Sequence, residues 1–183
     1  VYLMKYLKEF KQNPIVRFNI SLDTLDRAKY RVLTGADKFD KVWEAIETAL
    51  AMDFKPLKIN MVAMKGMNDD EVTDMARLTI DLPISMRYIE YMPMNSEGNK
   101  LANLLTFYAD DIKAKIESEL GELIPLARKD GEDPAVRFKI KGAMCELCFI
   151  DPMRHRFCGE CNRMRLTSTG GLRPCLLSDT RVD

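Results

Sequence analysis

Over its first hundred residues the chain alternates between two hydrophobic periods, and this alternation most narrows the folds open to it. Residues 15–22 (IVRFNISL) put Val16, Phe18, Ile20 and Leu22 on one side of an extended chain and Arg17, Asn19 and Ser21 on the other. The period then lengthens: Phe39, Val42, Trp43, Ile46 and Leu50 share one stripe of a helix predicted over 38–52. A second strand, LKINMVA at 57–63, carries Lys58 and Asn60 on a common face. Asn68 and Glu71, three residues apart, read as an N-cap and its capping-box partner, opening a helix through Val72, Met75 and Leu78–Thr79. SMRYIEYM at 85–92 is a third strand, and a helix over 1–10 precedes the whole series. Strands separated by helices predict an α/β fold with a parallel sheet and crossover helices.

Polar residues on the inner face of such strands ask for an explanation, because the interior of an ordinary parallel barrel is apolar. Asn19, Ser21, Lys58 and Asn60 lie on that face. Pattern leaves two readings open. Either the lumen holds a polar ligand, or Lys58 snorkels to water while Asn19 and Ser21 satisfy nearby backbone groups.

The character of the chain changes after Met94. Asn95-Ser96-Glu97-Gly98-Asn99 is a polar, turn-rich joint. Beyond it lie a predicted helix at 109–120, with Ile112, Ile116 and Leu120 at four-residue spacing, and strands at 123–127, 136–140 and 147–150. Residues 128–135, with Asp133-Pro134, read as a surface loop. The chain thus divides at sequence level into residues 1–94 and a small α+β module at 95–183 that carries the cysteines.

Three of those cysteines stand in the run FCGECNRMRLTSTGGLRPCL: Cys158, Cys161 and Cys175. A CxxC turn can place two thiolates on one metal site, and a hairpin can return the third. Arg165–Thr167 and Leu172–Pro174 suit the two arms of that hairpin, with Ser168-Thr169-Gly170-Gly171 as the turn. Three thiolates without an evident fourth ligand fit an iron–sulfur cluster with one open iron better than a closed zinc site. The arginines between them add charge and forked donors suited to an anionic ligand.

Composition sets wider limits. Hydrophobic residues at 46% and charged residues at 31% of 183 describe a soluble globular chain, and a formal net charge of +0 gives no reason to expect nucleic acid or a membrane surface as partner. No apolar run approaches the ~20 residues of a spanning helix. Five cysteines, an odd number with two CxxC spacings, suggest intracellular metal chemistry rather than a disulfide framework, which makes the cytoplasm the expected compartment.

CNRMRLTSTGGLRPCL at 161–176 resembles the C-terminal cluster motif of the GTP 3′,8-cyclases, the radical S-adenosylmethionine enzymes (molybdenum cofactor biosynthesis protein A) that open molybdopterin synthesis. RFNISLDTLD at 17–26, Thr34-Gly35, KINMVAMKGMNDDE at 58–71, RYIEYMP at 87–93 and FIDPM at 149–153 follow in that family's order. The resemblance covers most of residues 15–178 and is weak in 95–135. It implies the second half of a partial (β/α)6 barrel followed by the cluster-binding module. It implies that Cys158, Cys161 and Cys175 hold a [4Fe–4S] cluster, that Lys58, Arg163, Met164 and Arg165 bind GTP, and that Ser21 and Met92 contact S-adenosylmethionine. Arg87 is implied to stand near the reaction centre as a catalytic residue. A reductant protein is the implied electron source, and a homodimer a further implied partner.

Cys145 and Cys148 supply a rival. With Cys158 and Cys161 they spell CxxC, nine residues, CxxC, a zinc spacing for a structural or interaction module. Against it, Leu147–Ile150 reads as strand, on which residues three apart face opposite ways. Zinc there would also leave Cys175 and the intervening arginines without a role. His155, the one histidine, sits between Arg154 and Arg156 and reads as an exposed loop residue.

The CxxxCxxC motif that would ligate the S-adenosylmethionine-binding cluster does not occur in the sequence. The resemblance places that motif, and the first barrel strands, before Val1. The chain is therefore expected to be a fragment that binds cluster and nucleotide at most and generates no radical alone. Its strand at 15–22 becomes an open edge, with poor solubility as the expected consequence.

Overall fold

The structure is a computed structural model describing residues 3–13, 18–93, 96–127, 135–154 and 164–175. A six-stranded sheet organises it: β1 (Asn19–Ser21), β2 (Leu57–Ala63), β3 (Ile84–Glu90), β4 (Leu123–Leu126), β5 (Val136–Ile140) and β6 (Leu147–Ile150), in the spatial order β1-β2-β3-β6-β5-β4. β1, β2, β3 and β6 run parallel, and β5 and β4 continue antiparallel. The parallel sheet expected of the first hundred residues therefore runs on into strands from the second region. β1 and β4 are its two edges.

Among the described residues six helices accompany the sheet: α1 (Leu3–Gln12), α2 (Arg27–Thr34), α3 (Phe39–Ala51), α4 (Val72–Asp81), α5 (Ser96–Leu105) and α6 (Ala109–Leu120). None of them is long and apolar enough to cross a membrane. Residue alternation dictates where α1, α3, α4 and α6 pack. Ile59 and Met61 on β2, Met86 and Tyr88 on β3, and Leu147 and Phe149 on β6 point to one face and are no more than 3% exposed. Leu7 of α1, Ile46 and Ala49 of α3, Met75 and Ala76 of α4, and Ile112 and Ile116 of α6 close over that face in one cluster. The Tyr88 and Phe149 rings stack at 5.4 Å, and the Tyr88 hydroxyl donates to Val72 O at 2.6 Å.

Two helices lie outside the sequence expectations. α2 starts at Asp26, whose carboxylate accepts from Lys29 N at 2.8 Å, and stops at Gly35, where φ is 68°. That left-handed position is one only glycine takes without strain. α5 occupies residues read as a turn-rich joint, because Leu101, Leu104 and Leu105 recur at helical spacing and the neighbours tolerate one glycine at a cost of ~1 kcal/mol.

Asn68 does not cap a helix through its side chain. A 3-10 turn at Asp69–Glu71 precedes α4, and no side-chain cap bond forms. Asn68 is instead fully buried and ties two segments of backbone together, the end of β2 and the residues after β1. Its Oδ1 accepts from Met64 N at 2.7 Å, and its Nδ2 donates to Asp23 O at 2.7 Å and Val62 O at 2.9 Å. Glu71 likewise turns away from the helix start. It accepts from Thr24 Oγ1 at 2.6 Å, Leu25 N at 2.6 Å and Asp26 N at 3.2 Å. Both residues were read as local capping; tertiary contacts to the segment after β1 claim them instead.

Candidate functional site

The face of the sheet opposite the helices carries the polar residues. Ser21 is in register with Asn60, Asn60 with Arg87, Arg87 with Cys148, and Cys148 with Arg137 of β5. Adjacent strands stand ~4.8 Å apart, so these five residues form one row across five strands. Asn19, Lys58 and Ser85 form a second row one step nearer the N-terminal ends of β1–β3. A small buried apolar cluster on this face joins Ala135, Cys148, Ile150 and the partly buried Ile89.

The electrostatics of the row follow from burial. Ser85 and Arg87 are buried, Lys58 and Asn60 half-buried, and Asn19 and Ser21 exposed at the sheet edge. Burial pushes the Cys148 thiol up to about 11, with Glu146 adding to the rise, while Arg87, Lys58 and Arg137 pull the other way. Arg137 donates through Nε to Glu146 Oε2 at 3.1 Å, pairs with the same oxygen through a terminal nitrogen, and reaches Ala127 O at 3.2 Å. The Cys148 thiol points at the other Glu146 oxygen, 3.7 Å away. Asn60 Oδ1 is buried and accepts no hydrogen bond among the described residues. A buried carbonyl oxygen of that kind is costly unless a donor arrives, so it marks where a ligand's hydroxyl or amine can bind.

The second feature is a ribbon of β7 (Arg165–Leu166) and β8 (Leu172–Arg173), antiparallel, with Arg165 opposite Arg173 and Leu166 opposite Leu172. Its turn closes as the glycines anticipated: Gly170 has φ 89°, Gly170 N donates to Thr167 O at 3.0 Å, and Thr167 N donates to Gly171 O at 2.8 Å. Cys175 is exposed two residues past β8, at the end of the ribbon where Met164 enters. Met164 is 64% exposed and Arg165 half-buried.

The structure thus brings Ser21, Lys58 and Arg87 onto one sheet face. Met92 is half-buried two residues beyond β3. Cys158, Cys161, Arg163 and His155 lie outside the described residues. Among the described residues no three His, Cys, Asp or Glu side chains gather as a metal site. The donor chemistry still fits a cluster: Cys175 offers a soft, exposed thiol two residues past the ribbon. Burial raises the thiols of Cys145 and Cys148 alike. Asn60 is marked in the sequence only as part of the polar strand face, and Arg137 is not marked at all. The alternation of Arg137 and Lys139 with Val136, Phe138 and Ile140 was the available signal for the second.

A mixed α/β protein with helices over one sheet face and polar groups along the other is the class these features define. Residues 84–183 match the model of the family Molybdenum Cofactor Synthesis C, and residues 2–79 match that of the Radical SAM superfamily. The chain belongs to the Molybdenum Cofactor Synthesis C family. It is 41% identical over its whole length to a GTP 3′,8-cyclase of Thermodesulfovibrio yellowstonii, covering 56% of that protein. It is 41% identical over 99% of its length to one of Heliobacterium modesticaldum, covering 55%, and 41% identical to one of Clostridium botulinum, covering 56%. The chain therefore spans about half the length of the curated relatives it matches.

Proposed function

We propose that this chain is the part of a GTP 3′,8-cyclase that holds the second half of a partial (β/α)6 barrel, residues 1–94, and a cluster- and GTP-binding module, residues 95–183. The whole protein would convert GTP to (8S)-3′,8-cyclo-7,8-dihydroguanosine 5′-triphosphate by a 5′-deoxyadenosyl radical route, as the first step of molybdopterin synthesis. The observation that carries this reading is the polar row in register across five strands, with a buried acceptor at Asn60 and fixed positive charge at Arg87.

Each residue has a physical task in that reading. The Lys58 ammonium offsets triphosphate charge from a half-buried position, where a compact cation is effective. Arg163 and Arg165 offer forked donors to the nucleotide, with Met164 packing on it. Ser21 and Met92 contact S-adenosylmethionine, and Arg87 holds a fixed charge beside the reacting atoms. Cys158, Cys161 and Cys175 hold a [4Fe–4S] cluster, whose fourth iron would offer an open position to a purine donor atom. A reductant protein supplies the electron, and the whole protein works in the cytoplasm, with a homodimer as a compatible assembly.

The test is iron, sulfide and zinc content after anaerobic reconstitution of the chain, compared with the Cys145→Ala/Cys148→Ala and Cys158→Ala/Cys161→Ala variants. Roughly four irons and four sulfides, lost only in the second variant, are expected. GTP binding by the loaded chain should then weaken in Lys58→Ala. One zinc per chain, lost in both variants, would make the module a zinc site and overturn the proposal.

A further inference from the structure

We infer that Glu90 is a positioning residue, fixing the segment that leads into Cys158 against the C-terminal end of β3. The inference rests on the cluster reading above. Glu90 is the last residue of β3 and only 1% exposed, on the face covered by helices. Both of its carboxylate oxygens are used, on two segments remote from each other in sequence. Oε1 accepts from Ala109 N, the first residue of α6, at 3.0 Å, and Oε2 accepts from Met153 N at 3.3 Å.

The same two segments meet a second time. The Arg154 guanidinium lies 3.8 Å from the Tyr108 ring centroid and 3.5 Å from Asp110 Oδ2. Burial raises the Glu90 carboxyl above its ordinary range, with the two backbone donors opposing that rise. A buried acid at a strand end is costly, and an apolar residue would pack there without that cost. What the carboxylate uniquely provides is a pair of acceptors for backbone donors, favoured further by the positive end of α6.

Position gives this clamp its role. Glu90 lies between Arg87 and Met92 in sequence, and Met153 precedes Cys158 by one short segment. One side chain therefore joins the end of the strand bearing Arg87, two residues before Met92, to the segment that precedes Cys158 in sequence. A reaction between groups held on these two parts depends on their separation to about 1 Å. Glu90 touches neither ligand; it sets the distance.

The experiment compares the chain with Glu90→Gln, Glu90→Asp and, as a matched control, Glu71→Gln, another buried carboxylate bonded to backbone amides. Amide hydrogen exchange is read in peptides covering 106–112 and 151–163, with iron retained after reconstitution as the second readout. Exchange in at least one of the two peptides should rise at least tenfold in Glu90→Gln, whose amide keeps a single acceptor oxygen, with faster iron loss. Glu90→Asp, too short to reach both donors, should lose protection in at least one. Glu71→Gln should loosen residues 22–28 and leave the other two peptides at the wild-type rate. Unchanged exchange in a folded Glu90 variant would overturn the inference, as would equal loosening of 151–163 in Glu71→Gln. A wild-type chain that takes up no iron refutes the cluster reading and this role with it. Equal iron retention in wild type and Glu90→Gln refutes the positioning role alone.

Discussion

Replacing Asn68 is expected to destabilise this protein more than its size suggests. Its buried amide makes three part-buried hydrogen bonds, to Met64 N, Asp23 O and Val62 O, at 2.7, 2.7 and 2.9 Å. At ~1 kcal/mol net for each, Asn68→Ala should lose ~3 kcal/mol. For a chain of this length that corresponds to a drop of ~6–12 °C in melting temperature. Asn68→Asp is the sharper probe. It keeps the acceptor for Met64 N but sets an anionic oxygen against two carbonyls, so at neutral pH it should be less stable than the alanine variant. The neutral acid can donate one of the lost bonds, which raises the folded-state pKa of the introduced acid. The folded state then binds more protons than the unfolded state, and Asn68→Asp should regain stability as pH falls. Urea unfolding followed by the fluorescence of Trp43, the single tryptophan, measures all of this. A loss below ~1 kcal/mol for Asn68→Ala, or an aspartate variant more stable than alanine at pH 7, would refute the account.

The Cys148 thiol, pushed up to about 11, should alkylate ~100-fold more slowly at pH 8 than an unperturbed cysteine; equal rates in the folded chain would mean that the polar face is open to bulk water there. Burial also raises Asp23 above 3.8, opposed by the Val62 N–H that it accepts at 2.8 Å. The folded state therefore binds more protons between 3.8 and the raised value, and Asp23 should contribute a loss of stability as pH rises through that window. Urea midpoints for wild type and Asp23→Asn across the window should diverge in that sense, and divergence of opposite sign would refute the burial argument.

Much of this fold is legible in the sequence because its signals are local. LKINMVA alternates cleanly, and β2 spans those residues; VRFKI and LCFI also form the strands expected there, although β6 is buried on both faces. Ile112 and Ile116 are the buried residues of α6, as their spacing implies. The failures are nonlocal. Asn68 and Glu71 carry a capping-box spacing that is real in sequence, yet Glu71 is claimed by groups more than forty residues away and Asn68 by one such carbonyl together with the end of β2. The site divides in the same manner. Lys58 and Ser21 show their polar face through period two, but Arg137 joins them only because β5 pairs with β6, a register no single segment encodes. Glu90 gave no local sign at all, since its partners at Ala109 and Met153 come from elsewhere in the chain.

The strand order has a temporal consequence during synthesis. β3 finishes at Glu90, but its neighbour β6 begins only at Leu147, so ribosomes adding ~5–20 residues per second leave that flank of the nascent sheet without a mate for roughly 3–11 s. Throughout that interval Met86 and Tyr88 await their β6 neighbours Leu147 and Phe149, and the unpaired backbone of β3 is a template for any passing strand. Yield from cells should therefore respond to translation speed and chaperone supply between codons 90 and 150, more than to any substitution on the finished surface.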